Sequence, residues 1–193
     1  MTKQDEKQKV EISAMPTPNP NTIKFLVNMN FFEKGTVDFE TAESAKGSEL
    51  PETLFEIEGV TGVMIGFNFV SVTKAEATSW ESVLESTRDT ILDVIDSGKS
   101  VLSDEAFDRA NQVAEAHGEI AQKIIKILDE EIRPAIAMDG GDVQFISFID
   151  GIVTLKLQGA CSTCPAATMT LKMGIENRMK EEIPEVKEVV QEL

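Results

Sequence analysis

Asp150-Gly151 stands between two alternating runs, Val143–Ile149 and Ile152–Gln158, and no other feature of the chain narrows the fold as much. An Asp-Gly pair takes the positive φ values that a two-residue hairpin turn demands, so the runs predict an antiparallel pair. In the second run Val153, Leu155 and Leu157 alternate with Thr154, Lys156 and Gln158, which predicts one core face and one wet face. A lone hairpin is marginal in water, so this one needs partners. Upstream, Ile120, Ile124, Ile127, Leu128 and Ile132 recur at helical spacing from near Gly118, and Pro134 predicts the end of that helix at about Arg133. Downstream, a helix from Pro165 to about Glu182 presents Leu171, Ile175 and Met179 inward, and a short last strand is expected at Val186–Val190.

The first half repeats the theme with different residues. Residues 1–13 read as a polar arm, and Met15-Pro16-Thr17-Pro18-Asn19-Pro20-Asn21 is held extended by its three prolines. Thr22–Val27 alternates as a strand does, residues 33–48 read as loop, and a short helix is expected at about 49–56. Val60–Ile65 and Phe69–Thr73, parted by Gly66-Phe67-Asn68, predict a second hairpin. Ser79 is an N-cap signal for a helix to about Ser97, with Trp80, Val83, Leu84, Thr87, Ile91, Val94 and Ile95 as its core face. Ser97-Gly98-Lys99-Ser100 breaks the pattern, and the polar residues after it read as a helical linker. Ile57-x-x-Val60-x-x-Val63 is echoed by Ile183-x-x-Val186-x-x-Val189, which suggests a shared way of entering a strand and falls short of a repeat.

The expected architecture is α+β: two small two-layer domains, each a short sheet (a hairpin plus an extra strand) packed with helices. The expected divisions are an arm at 1–13, an N-terminal domain at 14–97, a linker at 98–117 and a C-terminal domain at 118–193.

Composition excludes several roles. The 34 acidic residues outnumber 18 basic ones, giving a formal charge of −16 spread along the whole chain. Phosphate backbones repel such a surface, so nucleic acid is not an expected partner. No apolar stretch approaches the roughly 18 residues of a membrane helix, so no membrane is expected either. The polar, mixed-charge start shows no targeting pattern, and a cytoplasmic location, where thiols stay reduced, is the expectation.

Cys161 and Cys164 are the only cysteines, set in Gln158-Gly159-Ala160-Cys161-Ser162-Thr163-Cys164-Pro165. Two cysteines in a chain of 193 residues are no disulfide framework. Four readings remain: structural zinc, thiol redox, an iron–sulfur cluster, or inert core positions. Pro165 suits a first helical position, and free N–H groups at a helix start lower the energy of a thiolate. Zinc and cubane clusters usually take four protein ligands. The only histidine, His117, lies far from the pair in sequence, so a complete thiolate site calls for two chains related by a two-fold axis. Such a site is labile, which suits a carrier better than structural zinc. A thioredoxin-like motif normally accompanies a βαβ pattern, whereas this pair follows a tight hairpin. From Gly151 to Ile175 there is no acidic residue, which agrees with an anionic metal–thiolate site. No pairing of nucleophile with base and no phosphate-binding glycine loop is visible, and the chain is not expected to be an enzyme.

Ile132-Arg133-Pro134, Met138-Asp139-Gly140-Gly141-Asp142-Val143 and Gly159–Pro165 together resemble the C-terminal domain of NifU-like proteins. Met15–Pro20 with Lys24-Phe25 resembles the N-terminal domain of Nfu-type scaffold proteins, so the likeness covers most of the chain from about Met15. The resemblance implies a homodimer that bridges a cluster, commonly [4Fe–4S], and passes it to apo iron–sulfur proteins after loading by upstream assembly factors. Cys161 and Cys164 match the ligand positions, the N-terminal domain would bind partners, and the glycines of Asp139–Asp142 would form a turn. The further cysteine-rich domains of full-length NifU have no counterpart here, so carriage is implied rather than assembly from free iron. The rival within this reading is a dithiol–disulfide oxidoreductase using the same pair.

Overall fold

The computed structural model describes residues 9–32, 35–111, 118–163 and 165–192, and gives only the backbone of 109–111 and 165–171. Cys164 and His117 lie outside the described residues, as does the Leu171 side chain. The α+β class holds: two sheets, each packed against helices. No helix among the described residues is long and apolar enough to cross a membrane.

The first sheet has five antiparallel strands in the order β1-β2-β5-β4-β3. They are β1 (Ile12–Pro16), β2 (Thr22–Val27), β3 (Val37–Phe39), β4 (Val60–Ile65) and β5 (Phe69–Lys74). Two of these differ from expectation. Residues read as arm and extended segment contribute β1, which pairs Ile12 with Val27 and Pro16 with Ile23. The stretch read as loop contributes β3, which pairs with β4 from Val37–Ile65 to Phe39–Val63. Both lie at sheet edges, where pairing comes from one neighbour only and Pro16 withholds no ladder bond from a central strand.

Helices α1 (Glu49–Phe55) and α2 (Trp80–Asp96) cover one face of this sheet. Phe25, Val27, Val37, Phe39, Val63, Ile65, Val70 and Val72 point toward Leu50, Leu54, Ile91 and Val94. Ser79 caps α2 as expected, its side chain accepting from the Glu81 N–H. Trp80 departs from the core stripe: it is half-buried, and its indole N–H donates to the Pro20 carbonyl at 3.0 Å. Helix α3 (Asp104–Asn111) follows, and Leu102 and Ala106 are buried in the same core.

The second sheet has three strands: β6 (Gly141–Ile149), β7 (Ile152–Gly159) and β8 (Glu188–Gln191). The Asp150-Gly151 hairpin forms as expected, with φ of 54° and 89° at its two residues. Strand β8 lies parallel to β7, from Ile152–Glu188 to Leu155–Gln191. The connection between them is α6 (Pro165–Glu182), so β7, α6 and β8 form a βαβ unit.

The helix that Pro134 was expected to end continues past it. Helix α4 (Glu119–Ile127) widens into a π turn at Leu128–Ile132 and resumes as α5 (Arg133–Met138). Proline has no N–H to give the carbonyl four residues back, and a wide turn just before it lets the helix resume with Pro134 in the first turn. Ile124, Leu128, Ile136, Val143, Leu155, Ile175 and Met179 form the second core, with Cys161 among them.

The strand-entry echo has a structural basis. In both places the first apolar residue accepts from the second, Val60 N–H to Ile57 O at 3.1 Å and Val186 N–H to Ile183 O at 3.0 Å. Each turn joins a helix end to a strand in which the third apolar residue, Val63 or Val189, is buried.

Candidate metal centre at the Cys161 loop

Strand β6 begins opposite the end of β7, with Gly141 paired to Gly159. Beyond Gly159, whose φ is 59°, the chain turns tightly. The Ala160 N–H donates to Gly140 O at 3.1 Å, Cys161 N–H to Gln158 O at 3.3 Å, and Ser162 N–H to Gly159 O at 3.2 Å. The Ser162 hydroxyl adds a bond to Gly159 O at 2.8 Å. These bonds seat Cys161 against the second core with only 5% of its surface exposed. Its sulfur rests on Gly141, where a Cβ would collide with Sγ. Helix α6 begins directly after the pair, so its unpaired N–H groups and positive end face the loop.

The two glycines of Asp139–Asp142 therefore have different tasks. Gly140 takes the positive φ (76°) of the expected turn. Gly141 does not, and it is glycine because a thiol sits on it. Arg133 braces the same corner, donating from Nε to Val143 O at 3.0 Å and lying 3.5 Å from the Asp142 carboxylate.

The N-terminal domain closes over this loop. Lys24, Ser71, Met64 and Asp38 are successive cross-strand neighbours on β2, β5, β4 and β3, on the sheet face opposite the helices. Lys24 Nζ donates to Ala137 O at 2.7 Å, and Ser71 Oγ to Gly140 O at 2.7 Å. The Met64 thioether lies 2.7 Å from where a Cβ of Gly159 would stand, and Asp38 accepts from the Gly159 N–H. From the β1–β2 turn, Asn19 Nδ2 donates to Ala160 O at 3.0 Å and to Thr163 Oγ1 at 2.7 Å. Asn19 is buried, and its own Oδ1 accepts from the Asn21 N–H. A cavity of about 220 Å³ remains beside the row, lined by Asp38, Met64, Thr73, Ser162 and Thr163 among others. The face of β7 expected to be wet is thus partly covered, and Lys156 pairs across it with Glu40 at 2.8 Å.

The acid-free stretch around the cysteines is acid-free in sequence only. Asp38, Glu40 and Asp142 gather beside it in space, and Thr36 Oγ1 donates to Asp142 at 2.5 Å. Burial, then the charge of Glu40, pushes the Asp38 carboxyl up to about 7, against the Gly159 N–H and Lys156. Lys24 moves down because burial disfavours its charge. Lys156 moves up, held charged by its hydrogen bond with Glu40.

Sequence reading found the cysteine loop but missed Gly141 as the thiol's seat and Asn19, Ser71 and Asp38 as its cover. Only the Gly-Gly pair carried a local signal. The objection that this pair lacks a βαβ setting is also corrected: β7, α6 and β8 supply one, in a sheet of three strands.

Residues 12–98 match the family described as scaffold protein Nfu/NifU N terminal, and residues 124–190 match the NifU-like domain. The chain belongs to the NifU-like family. Its relatives include proteins named NFU1 iron-sulfur cluster scaffold homolog, mitochondrial. That of Drosophila erecta is 39% identical over 93% of this chain and 64% of its own length. That of Drosophila persimilis is 37% identical over 96% and 66%. The chain thus spans just under two thirds of the length of these relatives. Among solved structures, a NifU-like protein from Saccharomyces cerevisiae is similar at 22% identity and a TM-score of 0.46, over 54% of this chain and 93% of that one. The mitochondrial relatives overturn the cytoplasmic expectation, which rested on the polar first residues and the lack of a long apolar stretch.

Proposed function

We propose that this chain is a carrier of iron–sulfur clusters, with the cluster as cargo held at Cys161 and Cys164 of two copies. The observation that carries the reading is the seating of Cys161 on Gly141 at the start of α6, in a NifU-like domain. Thiolates are the preferred ligands of such clusters. The sequence holds two cysteines and one histidine, fewer thiolates than a four-thiolate site takes, which favours sharing between chains. Two thiolates from each of two copies make a four-ligand site for [4Fe–4S] across a two-fold axis. Relatives named for a cluster scaffold support the cargo, and the delivery of that cargo to apo iron–sulfur proteins completes the role. We assign no catalytic residue.

The test is anaerobic reconstitution of the full chain with iron, sulfide and native mass measured together. One cluster per two chains is expected, with none in Cys161→Ser or Cys164→Ser. Near-normal iron and sulfide in either variant removes that residue from the ligand set. The βαβ setting favours one rival, a dithiol oxidoreductase in which both thiols are oxidised to a disulfide as a substrate disulfide is reduced to two thiols. Colourless protein that turns over such a substrate would establish it instead.

A further inference from the structure

The contacts between the two domains are not spread over their surfaces. Among the described residues the hydrogen bonds between them fall on two short segments, 137–142 and 159–163, which build the seat of Cys161, with the Lys156–Glu40 pair beside them. Most of the groups that receive them are main-chain carbonyls, those of Ala137, Gly140 and Ala160, so the sheet face is shaped to the path of the loop. Glycine at 140 and 159 lets that face come close: a Cβ on Gly140 would stand 2.8 Å from Ser71 Oγ. With the face in place, Ala160 and Cys161 are 2% and 5% exposed.

We propose that the N-terminal domain is a removable cover on the cysteine loop, and that it competes with the second subunit for this one surface. The proposal rests on the carrier reading above. A cluster shared by two copies requires the loop of each to face the other, and in the docked chain Asn19 and Ser71 occupy that position. The docked form is then the closed, cluster-free form, and loading accompanies the departure of the cover.

The chemistry of the interface suits removal. Its named contacts are mostly hydrogen bonds, with one ion pair, Lys156–Glu40, and one apolar group, Met64, in keeping with the more polar, transient character of interfaces within chains. Asp38, Glu40 and Asp142 lie together there, with Lys156 and Arg133 as the nearby cations. A cluster with four thiolates adds negative charge beside these carboxylates, and like charges at close range repel. Loading therefore weakens the cover's hold as it needs the space.

The test uses the full chain and the double variant Asn19→Asp/Ser71→Ala. Asp keeps the Oδ1 that accepts from the Asn21 N–H, while removing the donor to Ala160 and Thr163. A second variant, Lys24→Met, cuts the bond to Ala137 from a different strand. Hydrogen exchange of segments 17–24 and 137–142 is followed with the rate of anaerobic cluster uptake. Wild-type chain should lose protection in both segments as it loads. The double variant should begin less protected and load at least about tenfold faster, the change that 1.4 kcal/mol corresponds to. Lys24→Met should move in the same direction by a smaller factor. Equal loading rates with unchanged protection would overturn the cover and leave the carrier function standing. Absence of cluster from all chains would overturn both.

Discussion

Replacing Gly141 with alanine isolates the steric demand of the thiol seat. The added methyl would collide with Cys161 Sγ and stand 3.1 Å from both the Cys161 Cβ and the Gln158 carbonyl oxygen. Gly141 does not have a positive φ, so backbone strain contributes little and the cost is packing. Overfilling a packed site costs about 1–3 kcal/mol, against a gain of roughly 0.4–1 kcal/mol from stiffening the unfolded chain. A net loss of about 1–2 kcal/mol is expected, or roughly 2–8 °C in melting temperature for a chain of this size. Gly174→Ala is the control: nothing lies within 4 Å of its new methyl, inside α6, and the helix should gain up to about 1 kcal/mol. Differential scanning calorimetry of the apo chain reads both, and cluster content reads the sulfur's displacement. Under the proposed carrier role, Gly141→Ala should lose cluster binding as well as stability. A variant as stable and as well loaded as wild type would show that the sulfur does not depend on this seat.

Three further outcomes follow from other corners of the fold. The Thr87 hydroxyl is buried in α2 without a hydrogen-bond partner among the described residues, so Thr87→Val, of the same shape, should stabilise the chain by about 1 kcal/mol in urea denaturation; a loss would mean that the hydroxyl has a use. Asp38, raised to about 7 from 3.8, favours the docked form when protonated. Docking should therefore be strongest below about pH 4, weaken as pH rises toward 7, and level off above it, by up to about 4 kcal/mol at 1.36 kcal/mol per unit. Hydrogen exchange of segment 17–24 across this range measures it, and an unchanged slope in Asp38→Asn would remove Asp38 as the cause. Arg133→Met should loosen the corner at Val143 and lower stability by about 1 kcal/mol, with exchange rising at 142–145 in a mapping experiment.

What could be read from sequence was what neighbours in the chain decide. Asp150-Gly151 set a hairpin because its turn needs two positive φ values, and α2 and α6 declared themselves through spacing and caps. Strand β3 has three residues, too few for alternation to show, and β1 exposes four of its five residues, so no period marks it. The π turn before Pro134 was hidden because proline normally signals an end. Cys161 was legible because cysteine chemistry is local. Its cover was not: Asn19 meets Ala160 across 141 positions, and nothing near Asn19 distinguishes it from a turn residue. The row Lys24, Ser71, Met64, Asp38 exists only once four strands are in register.

The carbonyls of Ala137 and Ala160 belong to the main chain, and other residues there would offer the same oxygen, whereas position 140 must stay glycine because a Cβ would crowd Ser71 Oγ. Side-chain drift in the C-terminal domain is therefore largely invisible to the contact, provided the loop keeps its course. The donors, Lys24, Ser71 and Asn19, are side chains, and each can be lost in a single substitution. Mutational sensitivity of the union is thus lopsided. Gly140 aside, the domain without the cysteines carries most of it, and variants there can disturb a cysteine loop far along the chain.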